Sequence, residues 1–263
     1  MSHAPVITLT TDYGDTAPYA AVLKGVILGI NPAARVHDLT HHIRPQDVAH
    51  GSYYLGVAAP YFPPGTIHVA VVDPGVGGAR HPIYAEAGGQ RLVGPDNGLF
   101  THVFRHIGGP TCVRRLAESR FWKHPVSATF HGRDVFAPVA AHLSLGVDPA
   151  ELGPELPAPV LLPTDSAVTF GGVWEGVVQT ADDFGNLVTN IPADKLKTLP
   201  VAVAVGGAPA RPIPWVRTYG EAPPGELVCL FSSDGFFEVA VVNGSAARQL
   251  GAGPGAAVRV EPA

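Results

Sequence analysis

The chain has 263 residues, 46% of them hydrophobic, and a formal net charge of −5 from 17 Lys and Arg against 22 Asp and Glu. That length supplies one large domain or two ordinary ones, and the scarcity of cations argues against a surface built to neutralise nucleic-acid phosphates. The two cysteines, Cys112 and Cys229, lack the density of a disulfide scaffold or the spacing of a zinc site, and with no basic leader or membrane-length apolar run the chain reads as soluble, cytoplasmic and without a membrane partner.

Val6-Ile7-Thr8-Leu9 reads as a strand that ends in the polar turn Thr11-Asp12-Tyr13-Gly14. After Pro18, the residues Tyr19, Val22, Leu23, Val26, Ile27 and Ile30 recur at helical spacing until Asn31-Pro32 stops them. A strand at 36–39, a helix at 48–58 and a buried strand at 67–72 continue the alternation of an α/β sheet with mostly parallel strands. Phe136, Val139, Ala140 and Leu143 mark a further helix ending near Gly146. Proline and leucine then crowd 152–163 without a period, which places a domain boundary there and gives domains 1–160 and 166–263. Past it, 173–180, 187–191, 201–205, 227–231 and 237–242 are short β-type runs separated by Gly, Pro, Asn and Asp. The expected fold is α/β, an N-terminal mostly parallel sheet flanked by helices with a smaller C-terminal antiparallel β-barrel domain. Cys112 and Cys229 are expected to be reduced, buried small hydrophobes.

Chemistry-bearing residues gather at strand ends, where open α/β sheets bind ligands. In Val71-Val72-Asp73-Pro74-Gly75-Val76-Gly77-Gly78-Ala79-Arg80 a strand delivers a carboxylate, a glycine-rich turn and an arginine into one small space. Asp73 and Arg80 alone read first as a structural ion pair. With His131, from Thr129-Phe130-His131-Gly132-Arg133-Asp134, they could hold and polarise a water molecule. Gly94-Pro95-Asp96-Asn97-Gly98 is equally an ordinary turn. His37, His41 and His42 around Asp38 invite a metal reading, but a strand at 36–39 sends His37 and Asp38 to opposite faces, so no metal site is assigned. Gly75-x-Gly77-Gly78 lacks the Gly-Lys-Ser/Thr ending of a phosphate loop. In the second domain, Asp182, Phe184 and Asn186 combine a ring on which a base could stack with an amide to read its edge, but taken alone the segment reads first as a polar hairpin whose Phe184 plugs the barrel end. Ser232-Ser233-Asp234-Gly235 could receive a carboxylate or be a plain turn.

Taken in order along nearly the whole chain, Leu9-Thr10-Thr11-Asp12-Tyr13-Gly14, Asp73-Pro74-Gly75-Val76-Gly77, Gly94-Pro95-Asp96-Asn97-Gly98, Thr129-Phe130-His131-Gly132-Arg133-Asp134 and Phe184-Gly185-Asn186 resemble the S-adenosylmethionine (SAM) hydroxide adenosyltransferases, relatives of the fluorinating and chlorinating enzymes. The resemblance implies hydrolysis of SAM to adenosine and L-methionine, SAM being substrate and no cofactor being required. It also implies a homotrimer whose sites lie between subunits. Asp73, Arg80 and His131 match the family's water-activating triad. Asp12 matches the carboxylate that grips the ribose hydroxyls, and Phe184 and Asn186 match the adenine side. Phe130, Gly132, Asp182 and Ser233 complete the expected substrate contacts. The halogenating relatives have Tyr, Thr and Ser where this chain has Asp73, Val76 and Gly132, which points to water as the nucleophile. Many relatives carry an acidic residue at the position of Ala17, facing the methionine ammonium; Asp15 or Asp182 would have to substitute. A SAM or nucleoside sensor with negligible turnover and a metal-dependent hydrolase built on His37, His41 and His42 are the competing readings.

Overall fold

Strand β1 (Val6–Thr11) sends Ile7 and Leu9 to one face and Thr8 and Thr10 to the other, and all four are fully buried, as expected of a central strand covered on both sides. It pairs in parallel with β2 (Arg35–Thr40) on one flank and with β3 (Ile67–Val71) on the other. The computed structural model describes residues 4–163, 167–196 and 200–262, so the expected start of the second domain at 166 lies outside the described residues. By its internal contacts the chain divides into two compact units, 1–162 and 163–263.

The sheet of the first unit adds β4 (Pro82–Ala87), β5 (Gln90–Pro95) and β6 (Cys112–Arg115) in the order β2-β1-β3-β5-β4-β6. Four helices cover it: α1 (Tyr19–Ile30), α2 (Val48–Ala58), α3 (Thr101–Ile107) and α4 (Ala137–Ser144). The pleat of β3 divides two cores, since Ile67, Val69 and Val71 join Leu23, Ile27, Val139 and Leu143, whereas Ala70 and Val72 join Leu55, Leu99 and Val103. Side chains secure the helices: Asp47 caps α2 by accepting from the His50 amide at 2.9 Å, and Asn31 ties α1 to α4 through Ser144 at 2.8 Å. Because β1 has β2 on one side and β3 on the other, the chain reverses direction across the sheet there. The carboxyl ends of β1 and β3 therefore bound a topological switch point, and Thr11 pairs with Val71 at that edge.

The sheet is mostly parallel, as expected, with an antiparallel β5-β4-β6 edge, whereas Gly94-Pro95, expected in a loop, belongs to β5. Gly94 is tolerated within the strand because a Cβ there would lie 2.4 Å from the Ala70 carbonyl oxygen, so strand and glycine come together. Cys112 is only half-buried on the edge strand, whereas Cys229 is fully buried, with its thiol pushed up to about 12 by burial; both are free thiols.

In the second unit β7 (Val168–Phe170), β8 (Val173–Ala181), β9 (Leu187–Pro192), β10 (Pro200–Val205), β11 (Leu227–Phe231), β12 (Phe236–Val241) and β13 (Ala257–Pro262) form one antiparallel sheet in the order β10-β13-β8-β9-β12-β11, with β7 on β8. The long β8 pairs with β13 along its first half and with β9 along its second, so the sheet bends around it over a core of Val178, Leu187, Ile191, Phe237, Val239 and Val258. A short helix, α5 (Ala246–Leu250), follows β12, capped by Ser245 accepting from the Arg248 amide at 3.2 Å. Among the described residues no helix is long and apolar enough to cross a membrane.

Candidate active site

Asp73 leaves the end of β3, and the chain turns back within seven residues to set Arg80 against it. Arg80 Nε donates to Asp73 Oδ1 at 3.0 Å, and Nη2 donates both to Asp73 Oδ2 and to His131 Nδ1, the latter at 2.9 Å. The Asp73 and Arg80 side chains are only 5% and 9% exposed, so the pair is a desolvated, bidentate ion pair. Phe136 backs it, its ring centroid 5.4 Å from the guanidinium carbon.

The loop can close this tightly because of Gly77. Its φ is +73°, and a Cβ there would lie 2.3 Å from the Ala128 carbonyl oxygen, so the turn packs directly on the segment that leads to His131. That segment is anchored by buried Asp134, which accepts from Arg133 Nε at 2.7 Å, from Arg133 Nη2 at 2.8 Å and from the Ser127 amide at 2.9 Å. Burial raises the Asp134 pKa, but the hydrogen bonds from Arg133 and Ser127 outweigh it and hold the carboxyl below its usual value. His131 caps a π-helical turn, Gly132–Phe136, a distortion that recurs where a side chain must be aimed.

A guanidinium only donates, so His131 Nδ1 must present its lone pair to Arg80, and the ring proton sits on Nε2. Burial, reinforced by the Arg80 charge, lowers the His131 pKa, which keeps the ring neutral at neutral pH. Neither the ring nor Arg80 Nη1 has a further hydrogen-bond partner among the described residues.

At the end of β1, Asp12 is held by the Gln46 amide on Oδ2 at 2.8 Å, and Oδ1 has no hydrogen-bond partner among the described residues. The turn is pinned by Gly14 N donating to His41 O at 2.7 Å and by Thr11 Oγ1 with His41 Nδ1 at 2.8 Å. Phe130 packs edge-on against Tyr13 and Tyr19, with ring centroids 5.9 and 5.4 Å apart. Asn97 reads as a buttress: its Nδ2 donates to Val72 O at 2.9 Å, directly before Asp73.

The second unit holds the 182–186 loop between β8 and β9. Asp182 Oδ1 accepts from the Phe184 and Asn186 amides at 3.0 and 2.8 Å, and Oδ2 accepts from Asn186 Nδ2 at 2.9 Å. This orients the Asn186 amide with its oxygen free to accept. Gly185, at φ +86°, makes room for Ser245, whose Oγ would lie 2.0 Å from a Cβ. Asp182, Phe184, Asn186, Tyr219, Asn243 and Arg248 line a cleft of about 520 Å³. Phe184 is 78% exposed, so it does not plug the barrel end. Ser233 stands exposed on the β11–β12 turn and does not line that cleft, while its neighbour Ser232 builds the turn by accepting from the Asp234 and Phe236 amides at 3.3 Å each.

One charged group escaped the sequence reading. Glu238, in the apolar run of β12, is 3% exposed and accepts from Tyr219 Oη at 2.7 Å. Burial, with the negative charges of Asp182 and Asp234 nearby, raises its pKa. Its only sequence signal was a lone acid at an inward position of a strand.

Around Asp38, Lys24 Nζ and His41 Nε2 lie 2.5 and 3.0 Å from the carboxylate, and His42 faces Asp15 at 3.8 Å, which leaves Asp15 on the surface. Among the described residues no group of three or more His, Cys, Asp or Glu side chains is placed to hold a metal ion.

Residues 7–153 match the SAM hydroxide adenosyltransferase N-terminal domain and residues 176–259 match its C-terminal domain. The chain belongs to the SAM hydroxide adenosyltransferase family. It is 42% identical to the (R)-S-adenosyl-L-methionine hydrolase of Salinispora arenicola, with 99% of each chain covered, and 44% identical to the hydrolase of that name from Thermus thermophilus, covering 97% of this chain and 99% of the relative. Proteins named fluorinase match more distantly, at 25–27% identity. A crystal structure from Thermotoga maritima superposes with a TM-score of 0.90 at 35% identity, over 97% of this chain and 99% of that one. Family membership therefore agrees with the motifs from which the resemblance was drawn.

Proposed function

We propose that this chain hydrolyses SAM to adenosine and L-methionine by in-line displacement at the ribose 5′ carbon, with water as nucleophile. The observation that carries the reading is the buried cluster of Asp73, Arg80 and His131 at the switch point of a sheet whose family acts on this sulfonium. A lone pair of water forms the new C5′–O bond while the C5′–S pair leaves on sulfur as a neutral thioether, so no general acid is needed. Arg80 Nη1 holds the water oxygen and steadies its developing charge. His131 acts through Nδ1 to fix the guanidinium. With the His131 lone pair occupied and Asp12 on the ribose, Asp73 is the anionic acceptor within the cluster for the released proton, which then passes to solvent. Asp12 receives the ribose hydroxyls through its free oxygen.

In the second domain Phe184 stacks on adenine, and the Asn186 oxygen accepts from its amino group. Asp182 orients Asn186, and its carboxylate supplies negative charge for the methionine ammonium that Ala17 does not meet. Phe130, Gly132 and Ser233 complete the contacts. The domains are 1–160 and 166–263, the second closing as a small β-barrel. The enzyme works in the cytoplasm as a homotrimer whose sites are completed between subunits. The exposure of Phe184 in the single chain supports that assembly. No metal takes part, and chelators leave the rate unchanged.

Purified protein incubated with SAM and followed by chromatography tests the reading. Equimolar adenosine and methionine are expected, and SAM bound but left intact would replace the enzyme by a sensor.

A further inference from the structure

Gly132 is buried beside His131, and a Cβ added to it would lie 2.5 Å from Tyr13 Oη but 3.5 Å from Tyr13 Cζ. The hydroxyl alone, not the ring, claims that space. The ring is set by its neighbours: its centroid stands 5.8 Å from that of Tyr19 and 5.9 Å from that of Phe130, both edge-on, and its amide donates to Thr11 Oγ1 at 3.2 Å. Tyr13 thus follows Asp12 in sequence at the end of β1, and its hydroxyl reaches the residue after His131. Among the described residues no group hydrogen-bonds this oxygen. A phenol oxygen held against a glycine and given no protein partner is placed for a ligand atom.

We infer that the Tyr13 hydroxyl is a further catalytic contact of this site, accepting one O–H of the attacking water and so fixing the direction of its reactive lone pair. The inference rests on the proposed hydrolysis. Water bound to the cluster needs a partner for each of its two hydrogens and each of its two lone pairs. Asp73 accepts one hydrogen and Arg80 donates to one lone pair, which leaves the second hydrogen free to swing and take the remaining lone pair off the C5′ axis. Tyr13 accepts that hydrogen, and all four positions are then assigned with one lone pair aimed at carbon. Burial, reinforced by the charges of Asp12 and Asp73, raises the phenol pKa far above its usual value, so the group stays a neutral hydroxyl throughout the working pH range. The same geometry explains why residue 132 carries no side chain: any Cβ would push the phenol out of place.

Tyr13→Phe removes one oxygen and keeps the ring packing. It is expected to lower kcat about tenfold with KM unchanged, the worth of one oriented hydrogen bond in the transition state. Gly132→Ala alone, by displacing Oη, is expected to cost at least as much. In the double variant the alanine methyl meets only the ring carbon at ordinary contact distance, so Tyr13→Phe/Gly132→Ala should be no slower than Tyr13→Phe. Wild-type kcat in Tyr13→Phe would overturn the contact, and losses that multiply in the double variant would overturn the steric argument. Thermal unfolding of each variant separates misfolding from a lost contact, the double variant supplying the answer if Gly132→Ala fails to fold. If the wild-type protein itself forms no adenosine, the proposed function fails and this inference with it.

Discussion

The 73–80 loop and the 182–186 loop are both polar turns at strand ends, yet they are built in opposite ways. The first is closed by a partner 51 residues beyond Arg80, is packed onto a glycine contact and is nearly sealed from solvent. The second is self-contained, since Asp182 orders Phe184 and Asn186 within four residues and leaves the aromatic ring in water. Stabilising developing charge requires fixed dipoles away from bulk water, while gripping a flat ring requires only an available face. On the proposed function, assembly at long range goes with bond making and assembly at short range with recognition.

Kinetics can break this contrast. Arg80→Ala should lower kcat about a thousandfold with little change in KM. A rise in KM at constant kcat would turn the cluster into a binding element. Burial holds the His68 imidazole at about 4 against an ordinary 6.5, on the strand that delivers Asp73, with Thr8 Oγ1 2.7 Å from its Nδ1. The stability of the neutral ring is complete above pH 6.5 and is lost as pH falls from 6.5 towards 4, by about 3 kcal/mol in all. Glu238 is shifted upward, so its contribution runs the other way and is lost as pH rises. Denaturant unfolding at pH 7 and pH 4.5 should show wild type losing stability on acidification and His68→Leu losing less. Equal losses would contradict the buried neutral ring.

Phe184→Ala and Asn186→Ala should each raise KM about tenfold and leave kcat within a few-fold. A selective fall in kcat would erase the division of labour between the two loops. The smallest effect is expected from Asp47→Ala, which removes the α2 cap and should cost about 1 kcal/mol in unfolding free energy without altering turnover.

Much of the fold was legible wherever burial leaves a period. The recurrence from Tyr19 to Ile30 became α1, and the run at 227–231 became β11. The β4 and β5 strands were hidden because Pro82, Gly94 and Pro95 carry turn signals whose meaning depends on a neighbouring strand, such as the Ala70 carbonyl against Gly94. In the site, strand-end position pointed to Asp12 and Asp73, whereas the turn of His131, expected after a strand, follows none and leads into a π-helical turn, and local sequence could not show that Asn97 supports Val72. Tyr13 read as one residue of a turn, and Glu238 passed unnoticed within the run 237–242. Both matter through contacts with residues more than 15 positions away, and no local pattern records those.

Turnover of SAM in water enriched in oxygen-18, with the products resolved by mass spectrometry, follows the incoming oxygen itself. One heavy oxygen is expected in the 5′ hydroxyl of adenosine and none in methionine. Unlabelled adenosine, or label in methionine, would contradict water activation by Asp73, Arg80 and His131.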